Sequence, residues 1–415
     1  MKKKVWIFNH HANSMFFDNG GRHYSFAKYL KRKGYEPVIF CSNAVHGNGE
    51  LYFSDLKLWK ECMNEVINVP FVFVKSRSYV ENGKDRVLGM IDYYRNIKKV
   101  AKEYAKLNGK PDIIIGSSVH PLAVLAAEKT AKKFSVPSIC EIRDLWPESI
   151  FAYMPEKKKK WYARLLYCGE KYLYKKADSI IMTWPGGKDY IDEHKWFNTE
   201  ELKKVHHISN GVDLETFKTY SGEMNSETTK SSPFRVVYTG SIRKVNNLGI
   251  LVEVANHLKN WGRNNVLIDI YGDGDERDEL IELSNKKKLD NICFKGKIPK
   301  SEVPKVLSES SCTIMHNTST ILDKYGQSQN KFFEYLAAGK PVLMTYSVGY
   351  SICKAEGCGI EIEEQSPEHI ARAIIEMADL DDENYKKMCS ASINTAKKYS
   401  FEELTEKLIS LIENI

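Results

Sequence analysis

A chain of 415 residues exceeds what one ordinary hydrophobic core supports, so two or three domains are expected. With 42% hydrophobic and 28% charged residues it is globular, which excludes wholesale disorder. Its apolar runs, such as 5–8 and 112–116, stop at strand length, short of the roughly 20 residues a membrane span needs. The net charge of +7 is moderate and no RNA- or DNA-binding motif accompanies it, so nucleic acid is not an expected partner. Nine cysteines are scattered without a CxxC and read as buried free thiols of a cytosolic protein. In that compartment the sequon Asn317-Thr318-Ser319 has no consequence.

The first residues are basic, but their apolar core is four residues long and turns polar at Asn9-His10-His11. That pattern predicts a first β-strand and not a signal peptide. Further strands are predicted at 37–42, 71–74, 112–117, 138–143 and 179–183, with helices at 22–33, 87–107, 121–134 and 156–175. The alternation restarts with strands at 234–239, 266–271, 291–294, 312–315, 341–345 and 359–362, and closes with a helix at 401–415. Residues 220–232, poor in apolar side chains, read as a linker. Continuous apolar strands alternating with helices predict parallel doubly wound sheets, so the expected fold is α/β with two Rossmann-like domains facing across a cleft.

Ligands of open α/β sheets bind beyond the carboxyl ends of the strands, and the chemically interesting strings lie there. Gly20-Gly21 precede a helix whose start could receive an anion. His120 ends the fourth strand, where an imidazole can buffer developing charge. Glu141-Ile142-Arg143-Asp144-Leu145-Trp146-Pro147-Glu148 crowds four charges around a strand end, a costly arrangement without partners or ligand. Lys157, Lys158, Lys159, Lys160 and Trp161 open a basic, aromatic helix suited to an anionic lipid surface. In the second half, Gly240 and Gly272 allow close approach, while Arg243 and Lys244 offer charge to a diphosphate. Residues 330–342 form an apolar-faced helix bearing Glu334, stopped at Gly339 and followed by Pro341. No DxD flanked by strand-like residues and no HExxH occurs, so no metal and no cofactor are expected.

The string from Asn330 to Val342 resembles the nucleotide-sugar-binding helix of retaining glycosyltransferases of family four. The whole motif order of the chain is similar to that family. The resemblance implies the GT-B fold, with an acceptor domain at 1–205, a donor domain at 206–398 and a last helix, 399–415, returning to the first domain. Glu334 would hold the donor ribose. Gly20, Gly21, Gly240, Arg243, Lys244, Gly272, Lys295, Ile298, Gln327, Ser328, Asn330 and Lys331 would line the donor site. His120 and Asp144 would lie at the reacting centre, with Arg143 and Glu148 on the acceptor. The chain departs from the family at Ser241 and Asn247, where cations are usual, and at Gly326, where an acid is usual. The "RDLWPE" string resembles a bacterial subgroup that builds surface polysaccharide, including amino-sugar transferases. That implies transfer from a UDP-sugar, such as an N-acetylamino sugar, to a polyprenyl-diphosphate-linked acceptor at the cytoplasmic face of the membrane. A nucleotide-sugar 2-epimerase and a non-catalytic nucleotide-sugar scaffold are the alternatives.

Overall fold

The structure, a computed structural model, describes residues 2–80, 83–118, 120–218 and 230–415. Most of the expected linker, 220–229, lies outside the described residues. The chain forms two compact units, Met1–Ser209 together with Phe401–Ile415, and Asn210–Ser400. Their boundaries fall a few residues beyond 205 and 398.

The first unit is built on an 8-stranded sheet of β1 (Lys4–Phe8), β2 (Glu36–Ser42), β3 (Trp59–Asn64), β4 (Val69–Val74), β5 (Ile113–Ser118), β6 (Ser138–Ile142), β7 (Ser179–Met182) and β8 (Val205–His207). Their order is β3-β4-β2-β1-β5-β6-β7-β8. All neighbours run parallel except β3, which is antiparallel to β4. Two strands escaped the sequence reading for clear reasons. β3 carries exposed Lys60 and Glu61 and lacks the apolar continuity of a central strand, as suits an edge. β8 has only three residues.

Strand alternation sends the side chains of β1 into two separate cores. Val5 and Ile7 pack with helices Arg22–Arg32 and Phe401–Glu413, through Phe26, Leu30, Leu404 and Leu408. Trp6 and Phe8 face the opposite side with Phe40, Tyr104 and Ala127, from helices Lys84–Asn108 and Pro121–Phe134 among others. Trp6 and Phe40 meet at a tilt of 49° with centroids 4.9 Å apart. The helix expected at 156–175 is interrupted: Pro155–Lys158 and Trp161–Lys176 are separate, with Lys160 extended at φ −81° and ψ 151°.

The second unit has a 6-stranded parallel sheet of β9 (Phe234–Thr239), β10 (Val266–Tyr271), β11 (Ile292–Gly296), β12 (Cys312–Met315), β13 (Val342–Met344) and β14 (Gly359–Glu361). Its order, β11-β10-β9-β12-β13-β14, matches the central order β4-β2-β1-β5-β6-β7 of the first unit, strand for strand. Each sheet therefore reverses its winding beside its first strand, at β1/β5 and at β9/β12. Among the described residues every cysteine is free, and Cys168 and Cys293 are exposed, contrary to the buried reading.

Helix Phe401–Glu413 buries Leu404 and Leu408 in the first unit's core. Leu408→Ala is expected to cost about 2–5 kcal/mol. In hydrogen exchange the lost protection should concentrate in residues 1–209. Equal loss across 210–400 would refute the assignment of this helix.

Candidate active site

Residues that follow β1 converge on one buried carboxylate carried by β6. Glu141 Oε1 accepts from Arg22 Nε at 2.8 Å, and its Oε2 meets His23 Nε2 at 2.7 Å. Asn9 Nδ2 donates to His23 Nδ1 at 2.8 Å, which fixes the proton of the neutral ring on Nε2, pointing at Glu141. Arg22 also donates to the carbonyls of Ile208 at 2.9 Å and Ser209 at 2.5 Å, where the chain leaves the first unit. Burial would raise the Glu141 pKa, but Arg22 and His23 hold it well below the usual carboxylate range. Gly21, at φ 104°, is the N-cap of the helix carrying Arg22 and His23. Gly20 immediately precedes it.

His120 is the buried N-cap of helix Pro121–Phe134. Its Nε2 lies 2.9 Å from His10 Nδ1. His10 in turn packs against His11 at 4.6 Å and Tyr93 at 4.8 Å, and His11 against His46 at 5.0 Å. Burial, together with neighbouring cations, pushes His10, His11 and His120 down, the last to about 3, so these rings are neutral. The expected His120 is thus one member of a histidine cluster. His10 and His11 were legible only as a dipeptide after β1, and His46 carried no signal.

Asp144 and His120 share a small cavity of about 20 Å³, room for about one water, with Ser118, Trp146 and Glu170. The backbone of Arg143 is fixed at both ends: its N–H donates to Ser118 Oγ, and its carbonyl accepts from Thr183 and Trp184. Glu148, expected at acceptor hydroxyls, is instead buried and occupied by Lys158 at 2.6 Å and the Tyr167 hydroxyl. Lys158, expected in the lipid-facing row, commits its ammonium to this pair while its side chain stays 47% exposed. Lys157, Lys159 and Lys160 stand around the break between the two helices, and Trp161 is 78% exposed. Ile150, Tyr153, Met154 and Leu165 are also exposed on this stretch.

In the second unit a pocket of about 460 Å³ opens beyond β9, β10 and β11, lined among others by Gly240, Arg243, Gly272, Lys297 and Ile298. Its floor is interlocked backbone: Gly240 N–H donates to Tyr271 O, Ile242 N–H to Asp273 O and Gly272 N–H to Gly296 O, each within 3.0 Å. A Cβ at Gly272, where φ is 148°, would sit 1.7 Å from Gly240 O, so no other residue fits. Arg243 reaches the pocket and the exposed Lys244 does not line it. Lys295 pairs with Asp269 at 3.4 Å, which Arg235 also holds, and Lys297 takes the lining position.

Helix Asn330–Ala337 is fastened beside this pocket, since Tyr335 Oη accepts the Thr239 N–H at 2.9 Å. Lys331 Nζ lies 4.3 Å from the centroid of the Tyr238 ring. Burial lowers the Lys331 ammonium to about 7, against the pull of Glu334. Burial raises Glu334, which Lys300 and Lys331 oppose. Asn330 is exposed at the first turn, whose N-cap makes no side-chain capping bond. Gln327 and Ser328 serve the loop itself: Gln327 accepts from Tyr346 at 3.0 Å, and Ser328 Oγ accepts from the Asn210 N–H at 2.9 Å. His316, which the sequence reading passed over, ends β12 and bridges Thr345 and the Asn247 carbonyl. Among the described residues no group of three or more His, Cys, Asp or Glu is arranged to hold a metal ion. None of their helices is long and apolar enough to cross a membrane.

Two doubly wound parallel sheets with strand-end sites define the GT-B class of glycosyltransferase. Residues 23–216 match the model "Glycosyltransferase Family 4" and residues 222–399 match "Glycosyl transferases group 1". The chain belongs to the group 1 glycosyltransferases and is an enzyme of that kind. Similar solved structures include HepE from Anabaena in complex with UDP, 13% identical over all of both chains with a TM-score of 0.66. Sucrose-phosphate synthase from Thermosynechococcus elongatus is 14% identical over 100% of this chain and 99% of that one, with a TM-score of 0.71. WaaG, a glycosyltransferase involved in lipopolysaccharide biosynthesis, is 13% identical over 99% of each, with a TM-score of 0.60. At such identities the likeness is one of fold. No curated protein sequence matches the chain.

Glu141→Gln would leave Arg22 buried without its counter-charge, an expected loss of about 3–5 kcal/mol by chemical denaturation. A loss under about 1 kcal/mol would mean the pair is dispensable. The neutral histidines set a pH dependence. Their folded pKa values lie below the unfolded 6.5, so the unfolded state takes up more protons as pH falls beneath that value. Stability should be full above about pH 7 and fall by up to ~1.4 kcal/mol per histidine per pH unit below 6.5. The thermal midpoint should accordingly drop between pH 7 and 5.5. An unchanged midpoint would contradict neutral, buried rings.

Proposed function

We propose that the chain transfers a sugar, with retention, from UDP-sugar to a lipid-linked glycan acceptor in the synthesis of a surface polysaccharide. The transferred group is read as an N-acetylamino sugar. The observation that carries the donor assignment is the glycine-floored pocket beyond β9–β11, with Arg243 and Lys297 in its lining and Glu334 on the neighbouring helix. Glu334 would accept from the ribose hydroxyls. The helix start at Asn330, Lys331 and the lining cations would stabilise negative charge on the departing diphosphate, where fixed charges lower the barrier most. HepE, of like fold, was solved with UDP and with UDP-glucose, which supports uridine as the base.

In the first unit Glu141 and Glu148 are committed to cationic or hydroxyl partners, leaving Asp144 and His120 to serve the acceptor and the sugar. The reading needs no enzymic nucleophile: leaving-group stabilisation develops oxocarbenium character, and the acceptor attacks from the departing side. The exposed Trp161, Tyr153, Met154 and Leu165 with Lys157, Lys159 and Lys160 support docking on an anionic membrane at the cytoplasmic face. That surface favours a transferase with a polyprenyl-diphosphate acceptor over an epimerase.

A thermal-shift series with nucleoside diphosphates tests the donor assignment. At about 100 times its dissociation constant, UDP should add ~2.7 kcal/mol, a rise of roughly 5–10 °C for a unit of this size. Glu334→Ala should remove most of the rise. Absence of a shift with any nucleoside diphosphate would sink the reading.

A further inference from the structure

Among the described residues of the first unit, the buried polar atoms without a hydrogen-bonding partner in the protein include His11 Nε2, His120 Nδ1 and Arg143 Nε. Buried polar groups are nearly always paired, and a desolvated guanidinium edge is among the costlier exceptions. The atoms belong to side chains at the carboxyl ends of β1, β5 and β6, which are direct neighbours in the sheet. His11 and His120 have ring centroids 6.2 Å apart, and the Arg143 backbone N–H donates at 3.2 Å to Ser118 Oγ, two residues before His120. The carboxylates nearby offer little to these groups. Glu141 is consumed by Arg22 and His23, while burial raises Asp144 against the pull of the Arg143 charge. If His10 Nδ1–H donates to His120 Nε2, the remaining His120 proton sits on Nδ1, the unpartnered atom.

We infer that His11, His120 and Arg143 form a seat for an oxyanion carried by the acceptor. The inference rests on the first unit being the acceptor-holding half, and it adds the groups that would hold the acceptor's negative charge. A guanidinium edge and two imidazole N–H groups suit the oxygens of a phosphate, a diphosphate or a uronic carboxylate. An anion would supply the partners these atoms lack.

Titration calorimetry on the full chain, pre-saturated with UDP to fill the donor pocket, tests this with inorganic diphosphate and with glucuronate. Saturable binding of either supports the seat, diphosphate pointing to a phosphorylated acceptor and glucuronate to a uronic acid. Affinity should weaken roughly tenfold or more in His11→Gln and in Arg143→Gln. Arg143→Lys should recover part of it, and Lys188→Gln, on another surface, should leave it unchanged. Circular dichroism on each variant separates loss of binding from loss of fold. No saturable binding of either probe, or binding indifferent to both substitutions, would overturn the inference. Should UDP itself fail to bind, the donor reading falls alone, because the same titration without UDP still reports on His11 and Arg143.

Discussion

The first unit depends on one buried ion pair. Glu141 lies near the end of β6, while Arg22 and His23 open helix Arg22–Arg32, and 119 positions separate Arg22 from its carboxylate. Burying these charges gains little net energy, because desolvation offsets most of the attraction. What the pair supplies is geometry. The guanidinium fork holds Glu141 on one side and the carbonyls of Ile208 and Ser209 on the other, a task a point-charge ammonium could not perform. Sheet, first helix and the exit of the chain are thereby locked in a single register, and the histidine cluster is built beside that lock.

The second unit is organised on a different principle. Its pocket floor is main chain held by main chain, with three strand-end loops hydrogen-bonded in sequence and glycines where they touch. Backbone amides present fixed dipoles that no rotamer change can withdraw, which suits recognition of charge that appears only as a bond breaks. Side chains enter at the rim, through Arg243 and Lys297, and on the adjoining helix, through Lys331 and Glu334. The departures from the usual family pattern at Ser241 and Asn247 are in keeping with this arrangement. Ser241 bonds Asn246, and the Asn247 carbonyl meets His316.

Central strands and the helix Asn330–Ala337 were legible in the sequence because local signals there agree: apolar runs, a glycine stop and a following proline. The fold class followed from strand–helix alternation alone. Edge strands were missed because β3 is half polar and β8 has three residues, so neither carries periodicity. Site residues divided similarly. Gly240, Gly272 and Arg243 were readable from their position after strands, whereas Lys295 and Lys297 differ only in which way a strand end turns. Glu148 looked available because its partners, Lys158 and Tyr167, lie beyond any local pattern. The Glu141–Arg22 pair and the four-histidine cluster were invisible for the same reason: they are made by topology.

The return of helix Phe401–Glu413 to the first unit bears on the order in which the protein is made. Five of its apolar side chains complete a core that residues 1–209 begin. During synthesis roughly 190 intervening residues must be added first, about 10–40 s at ordinary elongation rates. For that interval one face of the nascent sheet lacks its cover, while the second unit has all of its own strands and can close by itself. The unit translated first is therefore the one finished last, and its exposed apolar face is where a ribosome-associated chaperone would have most to protect.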